Sequence, residues 1–217
     1  MSVNYNPATP VDGLILCLDT ANRRSYPGSG NTWFDISGLN NRLTLNNNPV
    51  FNTGLGNGFT FGAGANGSFS SQIVLSSDFC FSMWLNFSSY IDTGPNNHQY
   101  FFSTGSLPFG YSLMRLNQDL YVRTTAGFNG FSFPTVSLNN WFHLIVQRNG
   151  STISYIRNSI RMSAFSLSGE TYINQLDSSS SHSSNTCTYD NVRVYNRSLS
   201  NLEINQLFNT QKARYGL

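Results

Sequence analysis

The stretch WFHLIVQRNGSTISYIRN, residues 141 to 158, decides the fold class. Two alternating runs flank Asn149-Gly150, a dipeptide that suits the tight turn of a β-hairpin. Alternation with a period of two belongs to strands, because successive side chains point to opposite faces. FCFSMWLNF, residues 79 to 87, is the clearest single strand. Phe79, Phe81, Met83, Leu85 and Phe87 share one face, while Cys80, Ser82, Trp84 and Asn86 share the other. Trp84 makes that second face partly buried too. Working outward, GLILCL at 13–18 reads as a fully apolar strand. LTLNN, PVFNT, GFTFG and SFSSQIVL are further strand candidates, and YFFSTG, YSLMRL and LYVRTT have the rhythm of an antiparallel meander. The expected class is all-β, an antiparallel sandwich.

The composition agrees. Only 10% of the 217 residues are charged, against about 25% in ordinary soluble proteins. Asn and Ser supply about a quarter of the chain, and 17 Phe and 11 Tyr supply the aromatic mass. Strands built on Phe, Tyr, Val and Ile and joined by Asn/Ser/Gly loops carry such a bias. The net charge is +2 with no long basic run, so nothing points to nucleic acid. No apolar run is long enough for a signal peptide or a membrane span. Cys17, Cys80 and Cys187 have no metal or disulfide spacing and read as buried thiols, suited to a reducing cytosol. Residues 1–12 form a polar, Pro-containing arm expected to be extended. Residues 13–217 show no linker and read as one domain. SSSSHSSN, at 178–185, reads as a solvent loop.

A helix is expected near the end. In YDNVRVYNRSLSNLEINQLF, Ser200 and Glu203 have capping-box spacing, and Leu199 with Ile204 has the spacing of a hydrophobic staple. The helix should run over about 201–213 and cover an end or an edge of the sheets. Asp190 shares the phase of Val192 and Val194 in its strand, so inward valines would imply an inward carboxylate. Such a group needs an arginine, backbone N–H groups or Ca²⁺.

Four segments in order resemble the concanavalin A-like lectin/glucanase superfamily in its laminin-G-like jelly-roll branch. They are GLILCLDTANRRSYPGSGNTWFDISGLNNRLTL, NGFTFGAGANGSFSSQIVLSSDFCFSMWLNFSS, WFHLIVQRNGSTISYIRNSI and YDNVRVYNRSLSNLEINQLF. The resemblance implies an all-β, two-sheet antiparallel jelly-roll sandwich whose first and last strands lie close together, glycan or protein binding, and in some members a structural Ca²⁺. Here the acidic positions in the matching motifs are Asp19, Asp35 and Asp190, which are therefore the candidate calcium ligands. The competing reading is that Asp19 and Asp35 cap turns. SYPGSG and the ending NTQKARYGL look like versions encoded by tailed bacteriophages. That implies a virion protein, either a capsid decoration or a tail-associated adhesin, whose partners are other capsid or tail proteins and cell-surface glycans. The alternative is a free, lectin-like carbohydrate-binding module, acting as a monomer or small homo-oligomer.

Catalysis is not expected. Retaining glucanases need two carboxyl groups about 5–5.5 Å apart, which alternate acids on one strand supply. This chain has only Glu170 and Glu203, and no D-x-D, E-x-D or E-x-E. His143 follows Trp-Phe in a strand and reads as packed core, while His98 and His182 sit in polar loops. The candidate binding residues are loop aromatics with polar neighbours, which could offer an apolar floor and fixed hydrogen-bonding groups. They are Tyr90, Asn96, Asn97, His98 and Tyr100, then Phe109 and Tyr111, then Phe128 and Asn129.

Overall fold

The computed structural model describes residues 9–62, 64–89, 98–104, 111–116, 118–133, 135–177 and 186–217. In chain order the strands are β1 (Leu14–Leu18), β2 (Thr32–Trp33), β3 (Leu43–Asn46), β4 (Val50–Asn52), β5 (Gly58–Phe61) and β6 (Asn66–Leu75). They continue as β7 (Phe79–Ser89), β8 (His98–Ser103), β9 (Leu113–Leu116), β10 (Asp119–Thr124) and β11 (Gly127–Ser132). The last are β12 (Trp141–Asn149), β13 (Thr152–Arg157), β14 (Ile160–Ser166), β15 (Thr171–Leu176) and β16 (Thr186–Tyr195). The helix α1 (Asn201–Gln211) and a 3-10 turn (Lys212–Tyr215) follow.

Among the described residues these strands form two antiparallel sheets. The first runs β14-β13-β12-β7-β16-β5-β4, with β1 also beside β16, and the second runs β11-β10-β9-β8-β15-β6-β3-β2. The predicted 141–158 hairpin is present as β12 and β13, with Asn149 opposite Thr152. The first and last strands do pair, Leu16 with Val194 and Leu18 with Val192. Phe79, Phe81, Met83, Leu85 and Phe87 all enter the core between the sheets. Residues 127–132, which hold the expected loop residues Phe128 and Asn129, pair with β10 and so form a strand.

The outward face of β7 is buried as well. Cys80 packs with Ile145, Ile156 and Tyr195 under Leu199, Ile204 and Leu207. Trp84 packs with Trp141 and Tyr215. Thus α1 lies over the outer face of the first sheet, not over an end or an edge as expected. The reason is that four neighbouring strands present apolar side chains there, and α1 brings the matching apolar stripe. The capping box is formed in both directions, and Arg197 pairs with Glu203 at 2.5 Å. Gln147 reinforces the entry, donating to Leu199 O at 3.2 Å and accepting from Leu199 N at 2.9 Å. Ser200→Ala should cost about 1 kcal/mol, visible as a melting temperature lower by about 2–4 °C. Arg197, with help from Ser200, pulls Glu203 from 4.5 down to about 2. The folded value is depressed, so this contribution is complete above pH 4.5 and is lost as pH falls toward 2.

Against β7, β16 carries a bulge between Asp190 and Arg193, with Asn191 at φ 49°. The extra residue breaks the strand's phase. Val192 and Val194 do enter the core, but Asp190 lies opposite Trp84, on the face covered by the C-terminal turn. The inference that Asp190 points inward with the valines is therefore corrected. It is nonetheless fully buried.

Candidate functional site

The outer face of the second sheet carries an aromatic platform. Register places Tyr100 opposite Met114 and Met114 opposite Tyr121, with Tyr121 opposite Gly130 on the edge strand β11. A Cβ at Gly130 would stand 2.9 Å from the Tyr121 ring, so glycine lets that ring lie flat across the edge. Beside this row, Arg123 is paired with Phe128. The guanidinium sits 5.5 Å from the Tyr111 ring centre and 5.7 Å from that of Phe128. Tyr111 stacks on Tyr100 at 5.9 Å, and Tyr121 meets Phe128 at 6.2 Å. Phe128 is 58% exposed. Burial pushes the Tyr100 and Tyr111 hydroxyls upward, and Arg123 partly offsets this at Tyr111. Both phenols therefore stay neutral hydrogen-bonding groups at physiological pH. Nearby, Tyr121 donates to Asp119 at 3.3 Å and Tyr172 donates to Glu170 at 2.5 Å. Flat rings with a cation held between two of them can take an apolar sugar face or an anionic group.

Of the residues expected from sequence, Tyr100, Tyr111 and Phe128 come together here. Asn129 does not: it has the phase of Phe131, which enters the core, and its Oδ1 accepts from Gly130 N at 2.8 Å. His98 opens β8 at the backbone level. Tyr90, Asn96, Asn97 and Phe109 lie outside the described residues. Tyr121, Arg123 and Met114 were missed by the sequence reading. In LYVRTT the outward phase of Tyr121 and Arg123 was available as a signal, but only the adjacency of four strands, β8 to β11, makes it a surface.

The three candidate calcium ligands are engaged otherwise. Asp35 accepts from Cys17 N, Ser37 N, Ser37 Oγ and Asn41 N at 2.8–2.9 Å, which is a turn cap. Asp19 accepts from Ala21 N at 3.0 Å and from Arg214 at 2.8 Å. Asp190 accepts from Thr20 N, Thr20 Oγ1 and Tyr215 Oη at 3.0, 2.8 and 2.6 Å, and pairs with Arg214. The guanidinium thus stands between Asp19 and Asp190. Ca²⁺ takes about 6–8 oxygen ligands, whereas these carboxylates face N–H and O–H donors. The residues present do not fit a calcium site. Among the described residues, no three His, Cys, Asp or Glu side chains gather to hold a metal. Within the same set, no helix is long and apolar enough to cross a membrane.

Residues 61–205, about two thirds of the chain, match a laminin-G-type family model described as the concanavalin A-like lectin/glucanases superfamily. The chain belongs to this superfamily. No curated protein sequence matches it. Solved structures similar to this superfamily member include the binding domain of botulinum neurotoxin DC in complex with SialylT, with a TM-score of 0.70 and 15% identity, covering 92% of this chain. The same toxin domain in complex with rat synaptotagmin II has a TM-score of 0.68 at 15% identity and 92% coverage. The binding domain of Paraclostridial Mosquitocidal Protein 1 has a TM-score of 0.67 at 14% identity and 92% coverage. In each case the chain spans about half, 52%, of the chain it matches. At such identities the likeness is one of fold.

Proposed function

We propose that this superfamily member is a non-enzymatic binding domain that engages a glycan or a receptor surface through the outer face of its second sheet. The observation that carries this is the platform of Tyr100, Tyr111, Tyr121, Arg123 and Phe128, gathered from β8, β10, β11 and the approach to β9, with Phe128 largely exposed. The similar solved domains are named as binding domains, which supports the reading at the level of scaffold. The acids support it as well. Glu203 is consumed by its capping box and Arg197, and Glu170 accepts from Tyr172.

In its finer form the proposal sets the domain on a phage or virus particle, as a capsid decoration or a tail-associated protein. Its support is the resemblance of residues 25–30 and 209–217 to tailed-phage sequences. Both stretches serve the fold here: Tyr26 packs on Phe51 and Phe59, and Tyr215 stacks on Trp84. Location is therefore tested separately, by mass spectrometry of virions from the source of the gene. Absence of the chain, with good coverage of other virion proteins, would leave a free lectin-like module.

Binding is tested by screening the chain against a glycan array and cell surfaces, then repeating the positive measurements with Phe128→Ala/Arg123→Ala. Losing one stacked ring and one cation should weaken binding about tenfold or more. The melting temperature should fall by no more than a few degrees, because Phe128 is largely exposed and Arg123 is only half-buried. Binding that is indifferent to the double variant would sink the assignment of this face.

A further inference from the structure

The outer face of the first sheet is only partly covered by α1. Beyond Trp84 the register aligns Val50, Thr60, Thr188, Asn86 and Trp141 in one row across β4, β5, β16, β7 and β12. Over this row lies a cleft of about 440 Å³, within the range of small-ligand sites. One wall is the turn at 54–57. Trp141 Nε1 donates to Leu55 O at 2.9 Å, and Asn57 Oδ1 accepts from Gly54 N at 3.0 Å. At Gly56, with φ +63°, a Cβ would come within 2.3 Å of the Tyr215 ring. Only glycine lets the turn seat on the Trp141–Tyr215 pair, so the wall is fixed by the core beneath it. The opposite wall is Asn139, held at φ 59° with its N–H donating to Phe87 O at 2.7 Å.

The lining has one chemistry. Its polar groups are side-chain amides and hydroxyls, and among the described residues no charged side chain takes part. Amides and hydroxyls both donate and accept, as a ring of sugar hydroxyls requires. Val50 and Leu55, 59% and 66% exposed, supply aliphatic surface at the rim. A solvated strand face needs neither a turn locked against it nor two exposed aliphatic side chains. From this geometry we infer that the cleft is a binding site for an uncharged, polyhydroxylated ligand the size of a hexopyranose unit. It is separate from the Arg123 platform and lies on the other sheet. The inference borrows from the proposed binding role only the class of ligand, and a chain with both sites would be bivalent for glycans.

The test is a titration followed by two-dimensional NMR. Methyl α-glucopyranoside, methyl α-galactopyranoside, methyl α-mannopyranoside and N-acetylglucosamine are the probes. The Trp141 indole N–H and the Asn86 and Asn139 side-chain amides report on the cleft. At least one probe should shift these signals with a Kd on the order of 1 mM, a weak single-sugar affinity. Asn86→Leu should weaken it tenfold or more, and the nearly isosteric Thr188→Val should weaken it severalfold without endangering the fold. Arg123→Ala should leave it unchanged. Shifts with none of the four probes, shifts that survive both cleft variants, or shifts abolished by Arg123→Ala would each overturn the inference. Failure here leaves the array result for the Phe128/Arg123 face standing, and failure there leaves this titration standing.

Discussion

Replacing Arg214 with methionine should destabilise the fold by about 3–5 kcal/mol at pH 8, because it strips a buried carboxylate of its cation. Asp190 is fully buried under the C-terminal turn. Its neutral partners are Thr20 and Tyr215, and among the described residues Arg214 supplies the positive charge paired with it while also bridging to Asp19. Burial raises the Asp190 carboxyl from 3.8 to about 6, and Arg214 pulls in the opposite direction. A folded value above the unfolded one means that the native state binds the extra proton. The contribution is therefore favourable at low pH and is lost as pH rises through the window from 3.8 to 6. Without Arg214 that window extends upward, so wild type and variant should diverge most above pH 6. Urea unfolding at pH 5 and pH 8 measures this. The expected result is a larger loss at pH 8, with part of it recovered by Asp190→Asn in the Arg214→Met background. A loss below about 1 kcal/mol, or one equal at the two pH values, would mean that Arg214 does not hold the charge.

Below pH 6.5 a second effect of similar size should appear. His143 is buried, stacks on Trp84 at 5.0 Å, and places Nε2 2.8 Å from Ser82 Oγ. Among the described residues its Nδ1 has no hydrogen-bond partner. Burial, and secondly the Arg193 charge, push it from 6.5 down to about 3. The unfolded chain takes the proton at pH 6.5, whereas the folded chain refuses it until about pH 3. Stability is therefore lost as pH falls through that window. At 1.36 kcal/mol per pH unit the whole loss is about 5 kcal/mol. Asp190 acts in the opposite sense between pH 6 and 3.8, so the measurement compares wild type with His143→Gln. Glutamine keeps a polar group toward Ser82 and does not titrate. The difference in unfolding free energy between the two proteins should change steeply with pH below 6.5 and be flat above it. A difference independent of pH would show that His143 is not held neutral.

Much of the fold was legible because its signals are local. The alternation in 79–87 and around Asn149-Gly150 depends on neighbours one and two residues apart, and the structure places both faces of β7 as that alternation requires. The capping box spans three residues, and it formed as read. What failed was an inference carried across a pairing. Asp190 looked in phase with Val192 and Val194, but the bulge at Asn191 exists only because β16 pairs with β7 in a shifted register. Calcium looked attractive at Asp19 and Asp190 for the same reason: their cation sits at position 214, which no spacing rule connects to them.

The sequence by itself determined the all-β class, the phase of the central strand, the closing helix and the choice of Tyr100, Tyr111 and Phe128 as binding candidates. These follow from composition and from periodicities of two and of three to four residues. Only the tertiary structure decided which groups act together. It set Arg123 between Tyr111 and Phe128, put Arg214 where a metal was expected, and built a neutral cleft from five strands. The physical reason is that a surface of this kind is made by strand order and register. Both are fixed by burial of the whole core, not by any short run of residues.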